Sequence, residues 1–190
     1  MDFKTLLEKR RTVRFFEEKS VPDELLAQLV DAGRLASCAC NWQRLRYRVI
    51  RTPELVKAVF AHTGWGGSVT PRRTPQWGKN APQAFIALTV ELEGKPAAHL
   101  EADAGAAVMS MEFAAAELGL GSCWLGSFDK AEVAKIIGAE DIIYLLAVGY
   151  PAEAPVSEDV PLDARRSYYL DDNDLLHVPK ISMADIAVWQ

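Results

Sequence analysis

From Asp103 to Gly126 the chain reads DAGAAVMSMEFAAAELGLGSCWLG, and no other stretch restricts the possible folds so tightly. Ala104, Ala106, Ala107, Val108, Met109, Met111, Phe113, Ala114, Ala115, Ala116 and Leu118 put apolar or small side chains almost all round a helix. A helix of that kind belongs inside a core or an interface. Glu112 and Glu117 interrupt the run, so it is not a membrane span. Its alanines and glycine let neighbouring backbones approach closely, and at ~1.5 Å per residue the sixteen residues from Asp103 to Leu118 make a rod of about 24 Å. Gly119 suits the residue that closes a helix. The following Leu120-Gly121-Ser122-Cys123-Trp124-Leu125-Gly126 has two readings. One is a cap leading into a strand; the other is a loop whose open backbone amides admit a planar ligand.

The rest of the chain must supply a fold that encloses this rod. With 190 residues, 49% of them hydrophobic and 25% charged, residues 1–190 are expected to form one domain with a full core. A net charge of -5 does not give the net basic face of a nucleic-acid protein. The N-terminus carries charges without an apolar signal segment, and no run reaches membrane-spanning length, so a cytoplasmic protein with no membrane partner is expected. Cys38, Cys40 and Cys123 are an odd set that fits reduced thiols, and neither their spacing nor the scattered His62, His99 and His177 suggests a metal site.

Phe3, Leu6 and Leu7 predict a short amphipathic helix ending at Lys9, followed by Arg10-Arg11-Thr12-Val13-Arg14. Three guanidinium groups and a hydroxyl in five residues suit an anion or a ring carbonyl, although a solvated charged run has the same composition. Pro22 and the stripe Leu25, Leu26, Leu29, Val30 and Leu35 predict a helix ending near Ala36. Ser37 to Gln43 is small and polar, and Asn41 and Gln43 can read the edge of a heterocycle or simply serve a loop. Leu45, Tyr47 and Val49, alternating with Arg44, Arg46 and Arg48, predict a strand with one buried and one solvated basic face. Pro53 to Phe60 reads as a helix, and residues 61–79 as a long aperiodic loop, either a lid or an excursion.

Ala84 to Glu91 reads as a strand introduced by Asn80-Ala81-Pro82. Beyond the glycine segment, Asp129 and Glu132 look like the cap of a helix through Ile137 that Gly138 closes. Ile142 to Val148 is the most apolar strand, and the tail beyond Pro151 is read as irregular, wrapping over the body or a second subunit, with a last helix capped by Ser182. Several cofactor and nucleophile signatures are missing. Gly119 and Gly121 lack the third glycine of a dinucleotide fingerprint, Gly66-Gly67-Ser68 lacks the ending of a phosphate loop, and there is no GxSxG elbow. Arginines, amides and glycines without an evident acid, base or nucleophile fit a protein whose reagent is a bound cofactor.

In this order the segments resemble the flavin-dependent nitroreductase family. Arg10 to Arg14 looks like its RRSxR motif, Ala36 to Gln43 its APSxxNxQP loop, and Asp103-Ala104-Gly105 with Gly119 to Gly126 its DxG helix and GLGxxWxG turn. Ala147 to Pro151 resembles its GYP, and Val178-Pro179-Lys180 its C-terminal PKR. The resemblance implies an α+β nitroreductase-like fold, a central mostly antiparallel sheet flanked by helices, in an intertwined homodimer with FMN at the subunit interface. It implies that Arg10, Arg11, Thr12 and Arg14 hold the phosphate, ribityl and pyrimidine end of FMN. Cys38, Ala39, Asn41 and Gln43 would meet the flavin from the partner, Ser122, Cys123, Trp124, Leu125 and Gly126 would lie beside the ring, and Lys180 would touch the phosphate.

The implied activity is ping-pong hydride transfer from NADH or NADPH to a nitroaromatic, quinone or similar small acceptor, with flavin N5 as the reactive centre and no catalytic side chain. Alternatives are a dehalogenase or flavin-cleaving enzyme of the same fold, or a non-catalytic flavin-binding or flavinless dimer. Four departures bear on that choice. Ser37 stands for Pro, Cys38 for Ser, Arg44-Leu45 for Pro-Trp, and Ile181 for the arginine after Lys180, a loss that Arg165 or Arg166 would have to offset.

Overall fold

A computed structural model describes residues 2–190. In chain order the elements are α1 (Phe3–Lys9), α2 (Asp23–Arg34), β1 (Leu45–Ile50), α3 (Pro53–Phe60), β2 (Ala84–Val90), α4 (Leu100–Glu117), β3 (Gly121–Leu125), α5 (Lys130–Ile137), β4 (Ile142–Gly149), β5 (Val156–Val160), β6 (Tyr169–Leu170), β7 (Leu176–Ile181) and α6 (Met183–Ile186). β1, β2, β4 and β3 lie side by side in that order, every pair antiparallel. The fold is therefore α+β, with helices on both faces of an antiparallel sheet.

Alternation along the two central strands builds both layers. Ala84, Ile86 and Leu88 of β2, with Leu146 and Val148 of β4, pack against Leu26 and Leu29 of α2 and Ala104, Ala107, Val108, Met111 and Ala115 of α4. Phe85, Ala87, Leu145 and Ala147 face the other way, against Val56 and Val59 of α3, Val133 of α5, Trp65, Val13 and Phe16. Residues 84–88 of β2 and 145–148 of β4 are thus apolar without interruption, as a strand buried on two faces must be. α4 begins at Leu100, three residues before the expected start, behind His99 in the left-handed region (φ 66°). Its sheet-facing stripe is buried, while Gly105, Ala106, Met109, Ser110, Phe113 and Ala114 on its other side are half-buried.

Local signals set several boundaries. Asp129 accepts from Glu132 N at 3.1 Å and Gly138 closes α5 at φ 60°, while Ser182 accepts from Asp185 N at 3.3 Å to start α6. Of the two readings of the glycine segment, the cap leading into a strand holds: Gly121–Leu125 is an edge strand. Two expectations are corrected. The tail is not irregular: β5 pairs in parallel with β7, which β6 flanks. In β1, Val49 is exposed and Ile50 buried, and the arginine before the strand, Arg44, is 1% exposed where a solvated face was expected.

Residues 61–79 are tied down by several contacts. Gly64 N donates to Ser127 O (2.8 Å), Trp65 Nε1 donates to Thr63 Oγ1 (2.8 Å), and Trp65, Val69 and Arg73 are buried.

Candidate cofactor site

The N-terminal arginines sit beside the C-terminal half of α4 because the chain leaving α1 runs along the free edge of β3. Val13 N donates to Ser122 O at 2.8 Å, and Thr12 bridges Ser122 in parallel. Arg10 reaches back to α4, where its Nη1 lies 3.2 Å from Glu112 Oε2. Arg11 folds onto backbone carbonyls and donates to Ser157 Oγ. Between these groups opens a cavity of about 550 Å³, lined by Arg10, Arg11, Glu112, Ser122, Glu153 and Ser157 among others. That volume is within the range of small-molecule sites.

The electrostatics of the cavity favour a ligand that accepts hydrogen bonds. Burial and the neighbouring charge of Arg10 pull Arg11 below the usual guanidinium value, and Arg11 Nε is buried without a partner. An anion placed there would relieve both conditions. Against it stand Glu112 and Glu153 in the same lining, to which Glu8 and Lys9 add one charge of each sign. Burial raises the Glu112 carboxyl above the ordinary value, more than Arg10 and the Ser122 hydroxyl lower it. Neither acid carried a motif. Glu112 was legible only as a lone carboxylate in an apolar helix, and nothing in sequence marked Glu153, whose Oε1 accepts from Arg14 N (2.5 Å) and Phe15 N (3.2 Å).

The remaining predicted residues are dispersed. Arg14 is buried outside the lining, its guanidinium 4.8 Å from the Tyr168 ring, its Nε unpartnered and packed against Gly66, where a Cβ would come within 2.7 Å. Cys123 is buried in the core, Trp124 stands edge-on to Tyr144 at 5.0 Å, and Leu125 is buried. Cys38, Ala39, Asn41 and Gln43 gather at the opposite end of α4, where Ala39 N donates to Asp103 Oδ1 (2.8 Å). Asp103 and Glu112 are about 14 Å apart along the helix at ~1.5 Å per residue. One chain therefore holds two separate groups. Lys180 is exposed on β7 opposite Asp159, and neither it nor Arg165 nor Arg166 lines the cavity.

An antiparallel sheet between helical layers, with a cation-bearing cavity beside the C-terminal half of α4, defines an α+β protein. The chain belongs to the nitroreductase family, whose profile, described as "Nitroreductase family", matches residues 7–150. A protein of Methanothermobacter thermautotrophicus provisionally named NADH dehydrogenase/NAD(P)H nitroreductase is 26% identical over 188 residues, 95% of this chain and 88% of the relative. Its namesake in Archaeoglobus fulgidus is 28% identical over 90% of this chain and 94% of its own length. Among solved structures, a provisionally assigned nitroreductase of Desulfovibrio desulfuricans in complex with FMN aligns at TM-score 0.68 and 27% identity, covering 84% of this chain and 91% of that one.

Among the described residues no helix is long and apolar enough to cross a membrane.

Proposed function

We propose that this protein is an FMN-dependent NAD(P)H oxidoreductase that reduces small electron-poor acceptors such as nitroaromatics and quinones. The observation that carries the reading is the cavity of about 550 Å³ in which Arg10, Arg11 and Ser122 converge, Arg11 with a buried, unpartnered donor. Bound FMN would supply the centre that takes hydride from a nicotinamide and gives it to the acceptor. The chain supplies binding and orientation. Arg10, Arg11, Thr12 and Ser122 offer donors for an anionic or carbonyl-bearing ligand, and Arg14 offers a cation held in place by Gly66 and Tyr168. Cys38, Ala39, Asn41 and Gln43 of a second copy would complete the site, which makes the working form a homodimer. Donor and acceptor would occupy the same space in turn, as ping-pong kinetics require.

A second reading, a flavin-free or non-catalytic dimer of the same fold, draws on two observations. Lys180, Arg165 and Arg166 lie outside the cavity, and Arg10 is already engaged by Glu112. A visible spectrum of the purified protein, followed by anaerobic addition of NADH and then NADPH, separates the two. Flavin bands that bleach with either nucleotide are expected. A colourless protein that cannot be reconstituted with FMN would put the second reading in first place.

A further inference from the structure

We infer that Asp103 and Arg44 are positioning residues for the loop Cys38–Gln43, clamping it in the shape in which it would meet the cofactor of a second subunit; this rests on the function proposed above. The loop is strained. Cys40 (φ 50°), Asn41 (φ 52°) and Gln43 (φ 49°) all adopt the left-handed region without being glycine. Backbone of that kind persists only where its surroundings over-determine it.

Two turn hydrogen bonds, Asn41 N to Cys38 O (3.2 Å) and Trp42 N to Ala39 O (3.0 Å), fold the loop locally, and one buried ion pair ties its two ends. Asp103 Oδ1 accepts from Ala39 N at 2.8 Å, at the start of the loop, and Oδ2 accepts from Arg44 Nη2 at 2.6 Å, just past its end. Arg44 also donates from Nη1 to Ala98 O (3.0 Å) and to Pro96 O, and its guanidinium lies 4.6 Å from the Trp42 ring. The side chains are 0% and 4% exposed, so solvent does not weaken the attraction. Asp103 is in the first turn of α4, where the helix dipole also favours a negative charge.

The residues so clamped are not themselves packed. Cys40, Asn41 and Gln43 are exposed, and Cys38 is held within the loop by Asn41 N donating to its carbonyl (3.2 Å) and Gln43 N donating to its Sγ (3.4 Å). A pair buried this completely could be replaced by apolar groups without loss of stability. What such a replacement removes is the fixed geometry of a strained loop that presents amide side chains outward. This chain has Arg44 where the family motif has Pro, so the clamp belongs to its own sequence.

The loop carries its own reporter in Cys38. In a Cys40→Ser background of the full-length protein, we would compare wild type, Asp103→Asn, Arg44→Met and the double variant Asp103→Leu/Arg44→Met, which also removes the acceptor for Ala39 N. The readouts are the rate of Cys38 modification by a thiol reagent, FMN affinity by fluorescence quenching, and the thermal midpoint. Arg44→Met is expected to speed Cys38 modification and weaken FMN binding by about tenfold each, the scale seen when a residue that orients a binding group is lost. The double variant, which leaves no buried charge unpaired, should recover the thermal midpoint but not the affinity or the slow thiol kinetics.

Recovery of all three together would overturn the inference and leave the pair a purely structural one. So would unchanged Cys38 kinetics and FMN affinity in a folded double variant. A wild type that binds no FMN while Cys38 responds as expected would remove the proposed function and leave the clamp standing.

Discussion

Glu112 faces Arg10 at 3.2 Å and is 3% exposed, yet burial raises its carboxyl pKa more than that neighbour lowers it. The folded chain then holds the Glu112 proton more tightly than the unfolded chain, whose value is near 4.5. Between that value and the raised one the native state binds more protons, so stability contributed by the neutral acid is present below the window and lost as pH rises through it. Glu112→Gln removes this titration. Its stability relative to wild type should climb as pH rises above 4.5, measured as urea midpoints at a series of pH values; a falling difference would show that the Arg10 pair outweighs burial. Cys123 obeys the same sign further up the scale. Burial pushes its thiol up to about 12, despite Arg14, so it stays protonated and inert at neutral pH. Brief alkylation of native protein followed by mass mapping should modify exposed Cys40 first, Cys38 next, and leave Cys123 intact.

At the scale of elements, the two glycine motifs act together as a slot. Gly121 of β3 and Gly149 of β4 are directly paired across the sheet. A Cβ on Gly149 would lie 2.8 Å from Phe16 Cδ1, and one on Gly121 would lie 3.0 Å from Val13 Cβ. The missing side chains admit the Val13–Phe16 segment, and that segment carries Arg14 into place. Gly149→Ala and Gly121→Ala should each cost about 1–3 kcal/mol by overpacking, whereas Gly67→Ala, with no neighbour within 4 Å, should stay within ~0.5 kcal/mol. Urea unfolding of the three variants checks this. A glycine in the sequence reveals that a side chain is absent, not whether Val13 or a ligand fills the space; here Val13 fills it. Elements governed by local chemistry were legible to the residue, as with α3 at Pro53 and α5 between Asp129 and Gly138. The β5–β7 pair was not. VSEDV has no buried face to impose alternation, and its partner lies some twenty residues away. Nor was Arg44, whose surroundings come from residues 96–103.

At the scale of the molecule, α4 carries the argument for a second subunit. One of its faces is buried on the sheet, and the other, bearing Met109, Phe113 and Ala106, is only half-covered. Phe3, its ring 5.8 Å from Phe113, is 64% exposed and extends that apolar surface, as does Leu7. The two groups of predicted site residues lie at opposite ends of this helix, the Cys38–Gln43 loop near Asp103 and the Arg10–Ser122 cluster near Glu112. A two-fold axis that crosses two α4 helices antiparallel would bring the loop of each copy to the arginine cluster of the other, as a self-complementary interface requires. Light scattering should then give twice the chain mass of 21.0 kDa. Phe113→Glu, which places a charge at the centre of that face, should dissociate the proposed dimer and weaken FMN binding in parallel, because each site would lose the half its partner would supply. A monomeric wild type that binds FMN at full affinity would show that one chain completes the site, and the separation of the two groups along α4 would then need another explanation.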